Sequence, residues 1–254
     1  MAFTIVTPSY DIRARKTFDN ATDKSNFEFP NVWLADEQPL QDPEIANLEK
    51  LKELIEEIHC APYPNAFLIR GFPQNEKEDN TYGLTDTYWS DKASNLFQLD
   101  LDFELDSDEL NQDTLLHERV DIALEVLPFL KGKKFLAQLS SGAGLPKVLK
   151  KNGDEKNYPK KLCLRLFVET KTNYTLSQIA HSLNPYIEAG WVDNIFQPTR
   201  RNYIQSPELI NTPCALSNAE SLRLYEGELL GLEGLNESVF NPPSSKKPKK
   251  SSKK

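Results

Sequence analysis

Two aspartates one residue apart, Asp100 and Asp102, are the residues of this sequence best suited to chemistry. They lie in the octet Leu-Phe-Gln-Leu-Asp-Leu-Asp-Phe of residues 96–103, whose strict alternation predicts a strand with its apolar side chains on one face. Both carboxylates then share the other face, about 7 Å apart along the strand, and repel each other unless a cation lies between them. Oxygen ligands of this kind suit Mg²⁺ or Mn²⁺, which also bind phosphates. The alternative is a half-buried strand whose polar face is merely solvated.

Charge is unevenly distributed along the chain, and this distribution bears on phosphate binding more than the total charge does. The 254 residues carry a net charge of −8, which at first disfavours nucleic acid as a partner. Residues 99–110 contain six acids and no base, whereas residues 131–171 contain eleven Lys or Arg and three acids. A basic segment beside an acidic metal cluster would let an acidic protein handle phosphates. A solvated Lys-rich loop at 147–161 is the other interpretation.

The composition is that of an ordinary soluble protein, with 39% hydrophobic and 27% charged residues. No apolar run of about 18 residues is present and the N-terminus lacks the pattern of a signal peptide, so we expect a cytoplasmic protein with no membrane partner. Three cysteines, Cys60, Cys163 and Cys214, are widely spaced and form no C-x-x-C pair. Their spacing argues against a zinc site or a disulfide framework.

The elements that would position the aspartates alternate irregularly between helices and strands. The pattern predicts helices opening at Asp42-Pro43, near 114–129, after Thr175, and at Ser217-Asn-Ala-Glu220, which has the form of a capping box. Strands are predicted at 66–70, in the Asp-x-Asp octet, at 134–140 and at 162–169, with short final strands at Phe196 and at Tyr203-Ile204. We therefore expect an α+β fold with a mixed or antiparallel central sheet flanked by helices.

The last fourteen residues differ in composition from the rest of the chain. Residues 241–254 contain six lysines and no apolar residue, so we expect a disordered tail or linker that follows a single domain over 1–240. Such a tail could contact nucleic-acid phosphates, or it could lead to a further domain. Without it, 24 Lys and Arg face 38 Asp and Glu, a balance of −14.

Four segments carry a resemblance when they are taken in chain order. They are Leu68-Ile-Arg-Gly71, Leu99-Asp-Leu-Asp102, Leu139-Ser-Ser-Gly-Ala-Gly-Leu145 with the basic strand Leu164-Arg-Leu-Phe167, and Val192-Asp193 with Phe196-Gln-Pro-Thr-Arg-Arg-Asn-Tyr203. In order and spacing they resemble the motifs of the archaeo-eukaryotic primase superfamily, particularly the primase-polymerase domains of plasmids, phages and integrated mobile elements. The resemblance covers about residues 60–210 and implies a primase-polymerase-like catalytic core.

The resemblance implies a DNA primase or primase-polymerase that transfers nucleotides from nucleoside triphosphates to a 3′-hydroxyl on a single-stranded DNA template. Paired metal ions about 4 Å apart serve such chemistry. Asp100 and Asp102 would hold Mg²⁺ or Mn²⁺, and Asp193 would be the third acid, from a neighbouring strand. Glu169 is a competing third acid, because it shares a face of its predicted strand with Arg165. A replicative helicase would be a further partner.

Nucleotide binding would fall to the small-residue turn and to the basic strand that follows it. The hydroxyls of Ser140 and Ser141, with the backbone N–H groups of Gly142 to Gly144, form a nest suited to a triphosphate, and Arg165 would face the same phosphates. The alternative for the turn is an ordinary connection between two strands.

The sequence departs from the family pattern at Arg165, because most members carry His there. Arginine suits phosphate binding, but it cannot donate or accept a proton near neutral pH. A catalytically degenerate replication protein, which binds single-stranded DNA or recruits a helicase, is therefore the second hypothesis.

Arg200 and Arg201 would hold template or primer phosphates, unless they are exposed edge charges. A sugar-nucleotide glycosyltransferase would need a Gly-rich βα turn, which this sequence lacks.

Overall fold

The computed structural model describes five longer stretches of the chain and a set of short segments. These are residues 47–60, 91–105, 110–145, 161–197 and 213–233, with residue 235 and the segments 4–8, 17–19, 22–24, 35–37, 67–70, 72–73, 81–82, 89–90, 148–149, 155–156 and 208–210. The predicted tail at 241–254, the predicted strand at Tyr203-Ile204 and the residues Arg200 and Arg201 lie outside this description.

The described residues form four helices and fifteen strands. The helices are α1 (Leu48–Cys60), α2 (Leu116–Val126), α3 (Leu176–Ser182) and α4 (Asn184–Glu188), with a 3₁₀ turn at Pro128–Leu130. The first eight strands are β1 (Thr4–Pro8), β2 (Thr17–Asp19), β3 (Thr22–Lys24), β4 (Ala35–Glu37), β5 (Phe67–Ile69), β6 (Phe72–Pro73), β7 (Thr81–Tyr82) and β8 (Trp89–Ser90). The others are β9 (Ser94–Leu101), β10 (Phe135–Leu139), β11 (Val148–Leu149), β12 (Glu155–Lys156), β13 (Leu164–Tyr174), β14 (Glu208–Ile210) and β15 (Leu222–Tyr225). No helix in the described part of the chain is long and apolar enough to cross a membrane.

A four-stranded antiparallel sheet is the centre of the fold, in the order β15-β10-β13-β9. Short strands form three further sheets, in the orders β5-β1-β4-β7, β12-β11-β3-β2-β14 and β6-β8. The five-stranded one is mixed, because β11 pairs with β3 and β14 pairs with β2 in parallel. Helices with an antiparallel central sheet confirm the predicted α+β class.

The main apolar core lies on one face of the central sheet. Alternation along β9 places Leu99 and Leu101 on this face, where both are fully buried. They pack with apolar residues of β13 and of the helices α2 and α3. Just beyond the strand, the ring of Phe103 meets that of Trp191 edge to face, with centroids 4.8 Å apart. The apolar half of the predicted octet is therefore confirmed.

Helix α1 covers part of the opposite face of the sheet. It buries a helical stripe that includes Leu48, Leu51 and Ile55 against Leu136 and Phe167. The helix is described from Leu48 onward, and the Lys50 N–H donates to Oδ1 of Asn47 at 2.9 Å, as expected of an N-terminal cap. The predicted opening at Asp42-Pro43 lies outside the described residues.

Two of the predicted helix starts are confirmed. The backbone N–H of Gln178 donates to Oγ1 of Thr175, and the Thr175 N–H donates to Oε1 of Gln178, so α3 begins with a complete capping box. At α2 the carboxylate of Glu118 accepts the N–H of Leu115 at 2.6 Å. The predicted strands at 134–140 and 162–169 are confirmed as β10 and β13, with shifted ends.

The predicted last helix is wrong, because residues 222–225 form strand β15. The sequence Leu-Arg-Leu-Tyr alternates with a period of two as well as fitting a helix, and the open edge of β10 offers hydrogen bonds to a strand. Leu222 then faces α1, while Tyr225 stacks on Phe135 on the other face at 4.8 Å. The predicted strand at Phe196 is also wrong, since that residue lies in irregular chain.

Candidate active site

The topology of the central sheet brings the chemically interesting residues to one end of it. Strands β9 and β10 run in the same direction and both are antiparallel to β13. The C-terminal ends of β9 and β10 therefore lie beside the N-terminal end of β13. Asp100 and Asp102 come from β9 and the residue after it, Ser140 follows β10, and Arg165 lies at the start of β13. We call this end of the sheet the site end.

Asp100 is held by two donors that share one of its oxygens. The Nε of Arg165 donates to Oδ1 of Asp100 at 2.9 Å, and Nε2 of Gln98 donates to the same oxygen at 2.8 Å. Arg165 and Asp100 are register partners on β13 and β9, so the ion pair links neighbouring strands. The side chains are only 9% and 14% exposed, which makes this a largely desolvated pair.

Asp102 lies on the same face, half-buried and just beyond the end of β9. Its Oδ1 is 3.5 Å from Oγ of Ser140, a long contact that leaves the carboxylate weakly held. The thiol of Cys163 lies nearby, and burial, with a smaller contribution from the charge of Asp102, raises its pKa to about 12. Cys163 has φ of 48°, in the left-handed region that non-glycine residues rarely adopt.

The small-residue turn after β10 has a structural role. Gly144 has φ of +77°, and a Cβ added there would lie 2.8 Å from Sγ of Cys214 and 2.9 Å from the backbone N of Leu216. The N–H of Ala215 donates to the carbonyl oxygen of Gly144 at 2.9 Å. Packing against 214–216 therefore requires glycine at position 144. Ser140 and Ser141 are half-buried, and Gly142 is buried.

A backbone hydrogen bond, and not a neighbouring strand, places Asp193 beside Asp100. Its N–H donates to the carbonyl oxygen of Asp100 at 3.0 Å. The residue is exposed and belongs to the irregular chain after α4, so the expectation of a neighbouring strand is wrong. The preceding residues Trp191 and Val192 are buried and anchor this segment in the core.

Glu169, the competing candidate for the third acid, lies far from Asp100 and Asp102. It pairs in register with Leu96, four residues along β9 from Asp100, or about 13 Å. Its carboxylate lies 3.2 Å from Nζ of Lys134, which also meets the carboxylate of Glu49 on α1 at 2.7 Å. Burial alone would lower the pKa of Lys134, but its interactions with the two glutamates together raise it. Glu169 thus joins α1 to the sheet.

The first of the four resembling segments also lies away from the site end. Arg70 is buried and donates from Nη1 to the carbonyl of Lys92 at 3.2 Å and from Nη2 to that of Tyr174 at 3.4 Å. Tyr174 ends β13, whereas Arg165 lies at its start. Burial lowers the pKa of Arg70 to about 10.

Two glutamines were missed by the sequence reasoning. Gln98 and Gln138 are only 5% and 3% exposed, and they lie on the same face of the sheet as Asp100 and Arg165. A signal was available, because Gln98 is two residues from Asp100 on an alternating strand. The position of Gln138 required the register of β10 on β13, which the sequence does not give.

A buried arginine of α2 holds the chain just before β13. Arg119 of α2 is 1% exposed and donates to the carbonyl oxygens of Asn111, Thr114, Lys161 and Leu162, at 3.2, 2.8, 3.1 and 2.5 Å. Desolvation lowers its pKa. Because residues 161 and 162 lead directly into β13, these bonds hold the start of that strand against α2.

The donor set can be tested against Mg²⁺ and Mn²⁺ on chemistry alone. Asp100 and Asp102 offer carboxylate oxygens on one face, and magnesium is commonly bound by one or two carboxylates together with substrate phosphates. Within the described ranges, no group of three or more His, Cys, Asp or Glu residues could hold a metal ion. A two-carboxylate site completed by phosphates fits these residues, and a preformed three-acid site does not.

Comparisons with family models, with curated proteins and with solved structures found no match to this chain. The class of fold therefore rests on the sheet and helices described above. The resemblance to the primase superfamily rests on the motifs in the sequence.

Proposed function

We propose that this chain is a metal-dependent nucleotidyltransferase of the primase-polymerase type, which makes or extends primers on single-stranded DNA in the replication of a mobile element. One observation carries the proposal. Segments 99–102, 139–145, 164–167 and 192–193, distant in sequence, contribute Asp100, Ser140, Arg165 and the Asp193 backbone to one end of one sheet. These segments resemble three of the superfamily motifs in chain order.

Each side chain has a defined task in this proposal. Asp100 and Asp102 hold Mg²⁺ or Mn²⁺, which lowers the pKa of the attacking 3′-hydroxyl and neutralises charge on the phosphates. Ser140 and Ser141 donate hydroxyl hydrogen bonds to the triphosphate of an NTP or dNTP. Arg165 binds the same phosphates as a permanent cation. Asp193, whose backbone N–H donates to the carbonyl of Asp100 and whose side chain is exposed, is the candidate third acid.

Arg200 and Arg201 would bind template or primer phosphates, and the lysines of 241–254 would contact nucleic acid or lead toward a helicase. These positions lie outside the described residues. Only the positive charge of these residues supports their proposed role.

A degenerate replication protein, which binds single-stranded DNA without synthesis, is the second candidate. The ion pair between Arg165 and Asp100 favours it, because a guanidinium engages the oxygen that a metal ion would need. Arginine at this position also cannot transfer protons near neutral pH.

The deciding experiment is primer synthesis on a single-stranded template with Mn²⁺ and either NTPs or dNTPs. Asp100→Asn and Asp102→Asn retain the shape and an acceptor oxygen but remove the charge, so we expect synthesis to fall by at least about 100-fold in each. Asp113→Asn, at an exposed turn position, is the matched control and should retain wild-type synthesis.

Equal product from the wild type and both site variants would refute the enzymatic proposal. Binding of a labelled single strand by a protein that makes no product would support the second candidate instead. Thermal unfolding of each variant shows whether a lost activity reflects a lost fold.

A further inference from the structure

We propose that Arg165 is a built-in counter-ion that keeps Asp100 closed to a free divalent cation until nucleotide phosphates draw it away. This inference rests on the proposed function and deepens it, because it gives the order in which the site fills. Cation and nucleotide enter together, and the cation alone binds weakly.

Two hydrogen bonds occupy one carboxylate oxygen of Asp100. Its Oδ1 accepts from Nε of Arg165 at 2.9 Å and from Nε2 of Gln98 at 2.8 Å. Two donors satisfy the two lone-pair positions of one carboxylate oxygen. A cation that coordinates this oxygen must therefore displace one of them, and a cation on the other oxygen, Oδ2, would still lie close to the charge of Arg165.

Electrostatics decides which donor is displaced. The guanidinium of Arg165 is a cation, and the residue is only 8% exposed. A divalent cation on the same oxygen would lie within a few ångströms of this charge, where two positive charges repel strongly at low solvent exposure. The amide of Gln98 carries no charge and can remain. Arg165 is thus the group that must leave.

The departing guanidinium loses its ion pair with Asp100, and breaking a buried pair is strongly destabilising unless another anion takes the place of the carboxylate. Phosphate oxygens match the planar fork of arginine and accept paired hydrogen bonds from it. A nucleoside triphosphate brought in with the cation supplies this anion at the same end of the sheet. A free cation brings none.

Gln98 gives independent support for a ligand at this place. Its Oε1 is buried and has no hydrogen-bond partner among the described residues, although such acceptors are nearly always paired in folded proteins. Its Nε2 holds Asp100, so Oε1 lies within the same cluster. A ligand that carries a hydroxyl or a water molecule would satisfy this acceptor.

Positive coupling between cation and triphosphate follows. Because coupling is reciprocal, each ligand should tighten the other by the same factor. We expect Mn²⁺ to bind about tenfold or more tightly when a triphosphate is present, which is within the range of common coupling.

The test is a titration of the full chain with Mn²⁺, followed by electron paramagnetic resonance, with and without a triphosphate that cannot be cleaved between its α- and β-phosphates. Mn²⁺ bound by the nucleotide in solution is measured without protein and subtracted. Arg165→Gln should bind free Mn²⁺ about tenfold more tightly than wild type and show correspondingly weaker coupling. Arg165→Lys keeps the charge and should retain weak binding of free Mn²⁺.

Arg223→Gln is the matched control, because it removes a cation from an exposed position on the opposite face of the same sheet. Its Mn²⁺ affinity should equal that of wild type. Equal Mn²⁺ affinity in Arg165→Gln and wild type would overturn the proposal, as would tight Mn²⁺ binding to wild type without nucleotide. Should Arg165→Gln fail to fold, absence of coupling in the wild type would overturn the proposal alone.

The two proposals fail in different ways. A wild type that synthesises primers while Arg165→Gln leaves Mn²⁺ affinity unchanged refutes the counter-ion role and leaves the polymerase intact. A wild type that makes no primers and binds no Mn²⁺ even with nucleotide refutes both.

Discussion

The two ends of one sheet face contain ion pairs of opposite character. At the end covered by α1, Lys134 meets Glu49 and Glu169 and joins a helix to the sheet, among fully buried apolar side chains such as Phe167. At the site end, the pair of Arg165 and Asp100 links strands that backbone hydrogen bonds already join. The first pair joins two separate elements, whereas the second contains one of the carboxylates that we propose to bind a metal ion.

A side-chain truncation at the end covered by α1 should lower the stability of the fold most. Phe167 is fully buried between α1 and the sheet, so Phe167→Ala should lower the free energy of unfolding by about 3–5 kcal/mol. Urea denaturation measures this loss. Asp102→Asn at the site end should change the same quantity by less than about 1 kcal/mol. Similar losses in both variants would contradict the division of the face.

A charge removal tests the covered end more finely. Lys134→Met leaves Glu169 buried without its cation, so we expect a loss of about 3 kcal/mol in the free energy of unfolding. Adding Glu169→Gln removes the stranded charge and should restore part of that loss. A double variant as unstable as Lys134→Met would show that the pair of Lys134 and Glu169 carries no coupling.

The smallest expected effect depends on pH. The hydrogen bond from Lys134 lowers the pKa of Glu49 below its ordinary value. A depressed pKa stabilises the fold above the unfolded value, and this stabilisation is lost as the pH falls through the folded pKa. Glu49 is 43% exposed, so Glu49→Gln should cost less than about 1 kcal/mol at pH 7. Denaturation at pH 3 should show no such difference; a difference that persists would place its cause elsewhere.

Local alternation predicted the parts of the site that lie on one strand. It placed Leu99 and Leu101 in the core and Asp100 and Asp102 on the opposite face, because side chains along a strand alternate. It could not predict that Arg165 opposes Asp100, since the register between strands 65 residues apart is a property of the whole sheet.

Ambiguous periodicity explains the main error in the fold. Residues 222–225 fit both a helix and a strand, and the neighbouring strand β10 decided between them. The same dependence on tertiary context explains why Glu169 was a plausible third acid from the sequence. It shares a face of β13 with Arg165, yet the two residues lie toward opposite ends of the central sheet.

The fork of Arg119 has a consequence for how the molecule comes apart. Its bonds tie the loop before α2 to the two residues that lead into β13. The first turn of α2 and the start of β13 cannot open without breaking several of these hydrogen bonds together. The start of α2 and the start of β13 should therefore open together, as one cooperative unit.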